Sequence, residues 1–109
     1  MTPPKNPARL ESLRKLHAAD PSDADVCYMI AQEYGKGDEH AQAIEWYDRC
    51  MGADETYSYA YFFKAIALGE LGRMPEAIEA IKSGLVQAQA SGHAKAIAEL
   101  TTLLEQMSG

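Results

Sequence analysis

The chain has 109 residues, of which 47% are hydrophobic and 24% charged, and this is the length and balance of one folded domain. Ten lysines and arginines against sixteen aspartates and glutamates give a net charge of -6, which repels phosphate backbones and anionic lipid surfaces. We therefore expect neither nucleic acid nor a membrane as a partner.

The sequence shows neither a targeting segment nor a disulfide or zinc motif. Residues 1–5 lack the apolar stretch of a secretory signal, and no apolar run approaches the roughly 20 residues that cross a bilayer. The two cysteines, Cys27 and Cys50, form neither a disulfide framework nor a zinc motif. The expected location is the cytoplasm.

The first two predicted helices are separated by a proline-containing turn. Asn6 followed by Pro7 is typical of an N-cap and a first helical residue, so the first helix is predicted over residues 7–19. Ser22, with an acidic residue three positions later, resembles a capping box. We expect it to open a second helix that ends at the glycine break at 35–37.

Four further helices follow, bounded by glycine, proline and acidic residues. Their predicted spans are about 38–52, 56–71, 75–90 and 93–107. The segment 56–63 argues locally against this pattern, because it alternates aromatic and small residues as a β-strand does.

An internal repeat decides the structure of that segment. A shift of 34 residues aligns Ala31 with Ala65, Gly35 with Gly69, Ala43 with Ala77, Ile44 with Ile78, and Glu45 with Glu79. Residues 56–71 must therefore share the helical structure of residues 22–37. A 34-residue period of paired helices is typical of a helical solenoid.

On these residues the chain resembles the tetratricopeptide repeat family, as a small, bacterial-type member. The pattern W-x2-L-G-x2-Y, A-x3-F and a late P falls on Cys27, Ile30, Ala31, Tyr34, Ala43, Tyr47 and Glu55, and then on Tyr61, Lys64, Ala65, Leu68, Ala77, Ile81 and Gln89. The small residues match, whereas Lys64 replaces a core leucine. The resemblance implies an all-α, right-handed solenoid of about six antiparallel helices: two full repeats, a preceding half repeat and a capping helix. It implies one domain over residues 7–107 after a disordered stretch at 1–6.

No catalytic residue, metal site or cofactor site can be named from the sequence. His17, His40 and His93 lie in different predicted helices or helix starts, away from any ligand at the spacing of a metal motif. Cys27 and Cys50 occupy positions where the repeat needs buried apolar groups, with a reactive thiol as the alternative. We predict a protein that is not an enzyme.

The resemblance implies that the first helix of each repeat lines an inner wall that binds a partner. The candidate partner-binding residues there are Tyr28, Met29, Gln32, Tyr59, Phe62, Phe63, Ile66 and Lys95. Family members that grip a terminal carboxylate place lysines and asparagines where Tyr28, Gln32 and Phe63 stand here. Lys95 alone cannot form that clamp, so a carboxylate clamp is not expected.

Three interpretations of this apolar wall stay open. Its aromatic residues are a closed core, the interface of a homodimer, or a groove for an extended or helical segment of another protein. We predict the last, a scaffold that binds a protein or peptide of unidentified sequence. Trp46 is interpreted separately, as a rim packing residue or an outer-surface anchor.

Overall fold

The computed structural model describes residues 6–109, which form six α-helices and no β-strand. The helices are α1 (Pro7–Ala19), α2 (Ala24–Lys36), α3 (His40–Ala53), α4 (Ser58–Glu70), α5 (Met74–Ser91) and α6 (Ala94–Ser108). Each helix packs against the next, and α4 also contacts α6, so the helices form a solenoid of antiparallel hairpins. The all-α solenoid expected from the repeat is confirmed. The expected disorder at 1–6 falls, apart from Asn6, outside the described residues.

Side-chain caps determine where the first two helices begin. The Asn6 side chain accepts a hydrogen bond from the Arg9 amide at 3.0 Å, as predicted. The cap of α2 is Asp23, whose carboxylate accepts from the amide three residues on, so the prediction of Ser22 was wrong. Ser22 instead closes the turn after α1, because its amide and hydroxyl both donate to the Asp20 carboxylate, at 3.1 and 2.6 Å. These bonds lower the pKa of Asp20.

The same turn recurs 34 residues later, before α4. The amide and hydroxyl of Thr56 donate to the Asp54 carboxylate at 3.0 and 2.6 Å, so the helix begins at Ser58 and not at residue 56. The segment with the strand-like alternation is helical from Ser58 onward, as the internal repeat predicts. None of the six helices within residues 6–109 has the length and apolar character needed to span a bilayer.

Small residues let the helices of each hairpin pack closely. Ala31 of α2 and Ala43 of α3 are fully buried, as are Ala65 of α4 and Ala77 of α5. Around them, buried side chains form two clusters. The first comes from α1, α2 and α3 together with Ala60 of α4, and the second from α4, α5 and α6. The core of the solenoid thus consists of two clusters that follow one another along the chain.

The two repeats fill the space between paired helices in different ways. In the first, Cys27 of α2 and Cys50 of α3 are buried side chains of moderate size. In the second, the equivalent residues are Tyr61 of α4 and Gly84 of α5. A Cβ atom on Gly84 would lie 2.6 Å from the Cβ atom of Tyr61, so the glycine makes room for the tyrosine.

Replacing Gly84 tests this close approach. Gly84→Ala should lower the free energy of unfolding by roughly 1–3 kcal/mol, because the Tyr61 Cβ atom cannot move without its backbone. Gly52→Ala in α3 is the matched control, since a Cβ atom there meets nothing within 4 Å and alanine favours the helix by about 0.5–1 kcal/mol. Denaturant unfolding measures both. Equal free energies of unfolding for the two variants would contradict the close contact between Gly84 and Tyr61.

The thiols of the first repeat are buried, as predicted, with Cys27 1% and Cys50 0% exposed. Burial raises the pKa of both thiols, that of Cys50 to about 12. A buried neutral thiol is a poor nucleophile, since the thiolate is the reactive form.

Thiol labelling and alkaline stability follow from this burial. In the folded protein at neutral pH, both cysteines should react with a thiol reagent only as fast as the chain opens. Neutral Cys50 should stabilise the fold below the thiol's ordinary pKa of about 8.5, and this contribution should be lost as pH rises toward 12. Cys50→Ala should therefore flatten the alkaline fall in the free energy of unfolding. Rapid labelling without opening would contradict the buried positions.

Candidate functional site

A row of aromatic rings crosses the inner surface formed by α2, α4 and α6. The ring centroids lie 6.2 Å apart between Tyr28 and Phe63, 5.0 Å between Phe63 and Phe62, and 6.2 Å between Phe62 and Tyr59. All four side chains of this aromatic row are half-buried. The row is therefore neither a fully closed core nor a freely exposed patch.

Neighbouring tyrosines hold the α2 end of the aromatic row in place. The ring of Tyr28 lies 5.0 Å from that of Tyr57 and 6.0 Å from that of Tyr47. Tyr57 in turn donates a hydrogen bond to the Asp25 carboxylate of α2 at 2.8 Å. Burial raises the pKa of Tyr28 to about 12, so its phenol, neutral at pH 7 in any case, stays neutral well into the alkaline range.

The first of two pockets lies between α2 and α4, with a volume of about 230 Å³. This α2–α4 pocket is lined by Gln32, Gly35, Lys36, His40, Ala43, Tyr47, Phe63, Ile66 and Ala67. Gln32 donates a hydrogen bond to the Tyr47 hydroxyl at 2.7 Å, which fixes both side chains at the wall. The pocket thus combines an aromatic wall with a fixed amide.

The second pocket lies between α4 and α6, with a volume of about 320 Å³. This α4–α6 pocket is lined by Phe62, Ala98, Glu99, Thr102, Leu103 and Gln106. Because Phe62 lines this pocket and Phe63 lines the other, the two neighbouring rings separate the pockets. The inner surface therefore offers two apolar recesses on either side of an aromatic ridge.

Charged side chains near the pockets already have partners. The Lys36 ammonium lies 3.0 Å from the carboxylate of buried Glu33. Lys95 lies 4.0 Å from Glu99, which also accepts a hydrogen bond from the Tyr59 hydroxyl at 3.3 Å. Since neither lysine is left unpaired, apolar contact dominates what the pockets offer to a ligand.

The structure brings together most of the predicted partner-binding residues. Gln32, Phe62, Phe63 and Ile66 line the pockets, and Tyr28 and Tyr59 form the two ends of the aromatic row.

Two predicted residues belong neither to the pockets nor to the aromatic row. The sulfur of Met29 is 3.8 Å from the Arg9 guanidinium of α1, and Lys95 is exposed on α6.

The sequence did not identify several residues that line the pockets, among them Tyr47 and Gln106. Tyr47 stands at a position where the family pattern has a buried phenylalanine, and its ring is indeed buried. The available signal was its hydroxyl, because a buried phenol needs a hydrogen-bond partner and Gln32 supplies it from the inner surface. Gln106 gave no comparable signal.

Trp46 packs at the rim, which was the first of its two interpretations. Its ring meets the His17 ring of α1 edge to face, with centroids 4.7 Å apart, and only 8% of the residue is exposed. It is therefore not a free anchor on the outer surface. Within residues 6–109, no three histidine, cysteine or acidic side chains are grouped so that they could hold a metal ion.

Comparison with known proteins supports the fold directly. Residues 24–57 match the model of the tetratricopeptide repeat, which covers α2, α3 and the turn that leads to α4. No curated protein matches the chain in sequence.

Several solved structures share the solenoid. PcrH in complex with the chaperone binding region of PopD is 20% identical, with a TM-score of 0.85 over 91% of this chain and 75% of that one. The TPR2B domain of yeast Sti1 in its pHsp70 complex is 18% identical, with a TM-score of 0.85 over 91% and 79%. A tetratricopeptide repeat domain protein from Salinibacter ruber is 26% identical, with a TM-score of 0.74 over 81% and 89%. The resemblance to the tetratricopeptide repeat family is thereby confirmed: the chain carries one such repeat at residues 24–57 and has the family's helical solenoid fold.

Proposed function

We propose that this chain is a non-catalytic protein-interaction module whose inner surface binds a segment of another protein through apolar contacts. The observation that carries the proposal is the pair of recesses on either side of Phe62 and Phe63. Half-buried aromatic rings beside recesses supply large contact areas and lose little conformational entropy on binding. We place the protein in the cytoplasm, where free thiols stay reduced.

The similar structures support an interaction role without defining the ligand. PcrH was solved with the chaperone binding region of PopD, and the Sti1 domain was solved in a complex with pHsp70. Both are solenoids of this fold that hold a protein partner. The ligand of this chain is inferred from its own inner surface.

The inner surface favours apolar anchors over a terminal carboxylate. Lys36 and Lys95 each face a carboxylate of the chain itself, Glu33 and Glu99. A ligand carboxylate would compete with these partners, whereas an apolar side chain meets no such competition in either pocket. We therefore propose a partner segment that places one apolar side chain in each pocket and crosses the ridge between them.

Association of two copies through the same surface is the competing function. The half-buried aromatic row would then be covered by a second copy of the chain, and the pockets would have no other ligand. Light scattering at several protein concentrations separates the two, because a homodimer dissociates on dilution and a monomeric binding module has a constant mass.

Phe63→Ala is the variant that tests binding at the ridge. It should weaken binding of the partner by about 2 kcal/mol or more and leave most of the free energy of unfolding intact, since the ring is half-buried. Lys95→Glu, at an exposed position outside both pockets, is the matched control and should bind nearly as well as the parent. Binding should also resist salt, because apolar burial is not screened.

The experiment starts from affinity capture with the parent protein and identification of the captured proteins by mass spectrometry. A peptide from the captured partner is then titrated calorimetrically into the parent and both variants at low and high salt. The proposal is wrong if Phe63→Ala binds like the parent, or if Lys95→Glu and salt abolish binding. Global unfolding of Phe63→Ala would assign the ring to the core instead.

A further inference from the structure

The outer face of the solenoid carries a further recess, away from the aromatic row. This outer groove has a volume of about 410 Å³ and lies between α3 and α5, with α4 at its floor. Met51, Tyr61 and Ala80 supply apolar lining, while Glu79 and Ser83 of α5 line its polar side. Its volume falls in the range of about 300–1,000 Å³ that is usual for ligand pockets.

Around Trp46, the equivalent gap one repeat earlier, between α1 and α3, is occupied by the chain itself, and a recess of about 410 Å³ remains beside it, lined by His17, Pro21, Ser22, Arg49, Gly52 and Ala53. The Trp46 ring lies across this gap against His17, with centroids 4.7 Å apart. The Arg49 guanidinium lies over the Trp46 ring at 4.3 Å and pairs with the Glu45 carboxylate at 2.9 Å. An aromatic ring, a cation and a carboxylate therefore occupy the part of the gap around Trp46 together.

A shift of 34 residues shows what the outer groove lacks. The equivalents of His17, Glu45, Trp46 and Arg49 are Met51, Glu79, Ala80 and Ser83. The outer groove keeps the carboxylate and has a methionine in place of the imidazole, but a methyl group replaces the indole and a hydroxymethyl group replaces the guanidinium. The outer groove therefore has Ala80 and Ser83 at the positions where the first repeat has the indole and the guanidinium.

The charges of the outer groove leave one carboxylate without a counter-ion. Lys64 is paired with Asp48 at 2.6 Å, and Glu76 is paired with Arg73 at 2.6 Å. Glu79 takes part in no ion pair within residues 6–109. A cation brought to the groove would therefore find an available partner in Glu79.

We propose that the outer groove is a second docking site, which takes an aromatic side chain and a neighbouring cationic side chain from a helix of a partner protein. The ring packs on Met51 and Ala80, where sulfur and methyl groups favour aromatic contact, and the cation pairs with Glu79. Trp46 of another copy cannot supply the ring, because it is buried against α1. The site is separate from the inner surface and does not depend on the function proposed for it.

Short helical peptides test the docking site. The probe is a blocked alanine–glutamine peptide with tryptophan and arginine three residues apart, titrated while the methyl signals of Met51 and Ala80 are followed by NMR. We expect saturable shifts confined to the outer groove. Replacing the tryptophan of the peptide by alanine should abolish them, and replacing its arginine by glutamate should weaken binding about fivefold or more.

Two variants of the protein close the groove in different ways. Ala80→Trp restores the indole, and Ser83→Arg restores the cation beside Glu79; each should weaken peptide binding by about tenfold or more. Ser83 is exposed, so its replacement keeps the test valid even if the larger change at Ala80 disturbs folding. Phe63→Ala should bind the peptide like the parent, which separates this site from the inner surface.

Three results would overturn the proposal. They are the absence of shifts at millimolar peptide, shifts at the aromatic row in place of the outer groove, and unchanged binding by Ser83→Arg.

Discussion

Close approach of paired helices at small residues is the constraint on which the rest of this structure depends. Ala31 and Ala43 in the first repeat, and Ala65 and Ala77 in the second, are fully buried where two helices meet. Nothing larger fits there without separating the backbones. Large side chains must therefore lie toward the inner or the outer edge of each hairpin, and this is where the aromatic row and Trp46 are found.

The two repeats meet this constraint with different side chains, and their differences create the surfaces. Where the first repeat packs Cys27 against α3, the second has Tyr61, and the glycine at position 84 admits it. Where the first repeat places the Trp46 ring against α1, the second has Ala80, which lines the outer groove. Both repeats keep the same 34-residue helical backbone, whereas the side chains that line their surfaces differ. Each surface of the solenoid can therefore be altered without altering the fold.

The sequence predicted the helices well because their signals are local or repeated. Proline, glycine and acidic residues indicated the bounds of the six helices, and the 34-residue self-match overruled the strand-like pattern of residues 56–63, most of which lie in α4. Ser22 was misassigned because the Asp20 carboxylate binds it in a turn, an alternative that a capping pattern alone cannot exclude. At the site, the resemblance to the repeat family predicted the inner wall that carries Phe62 and Phe63. It could not show that Arg9 of α1 reaches Met29, because that contact depends on the packing of a neighbouring helix.

The half-buried state of the aromatic row connects its stability to the proposed binding. Tyr28 is held by the rings of Tyr47 and Tyr57, and the hydrogen bond from Tyr57 to Asp25 ties the start of α4 to α2. Rings that are fixed before binding lose little freedom when a ligand covers their remaining exposed edges, so more of the contact energy appears as affinity. The same packing therefore prepares the inner surface for the apolar side chains of the proposed partner.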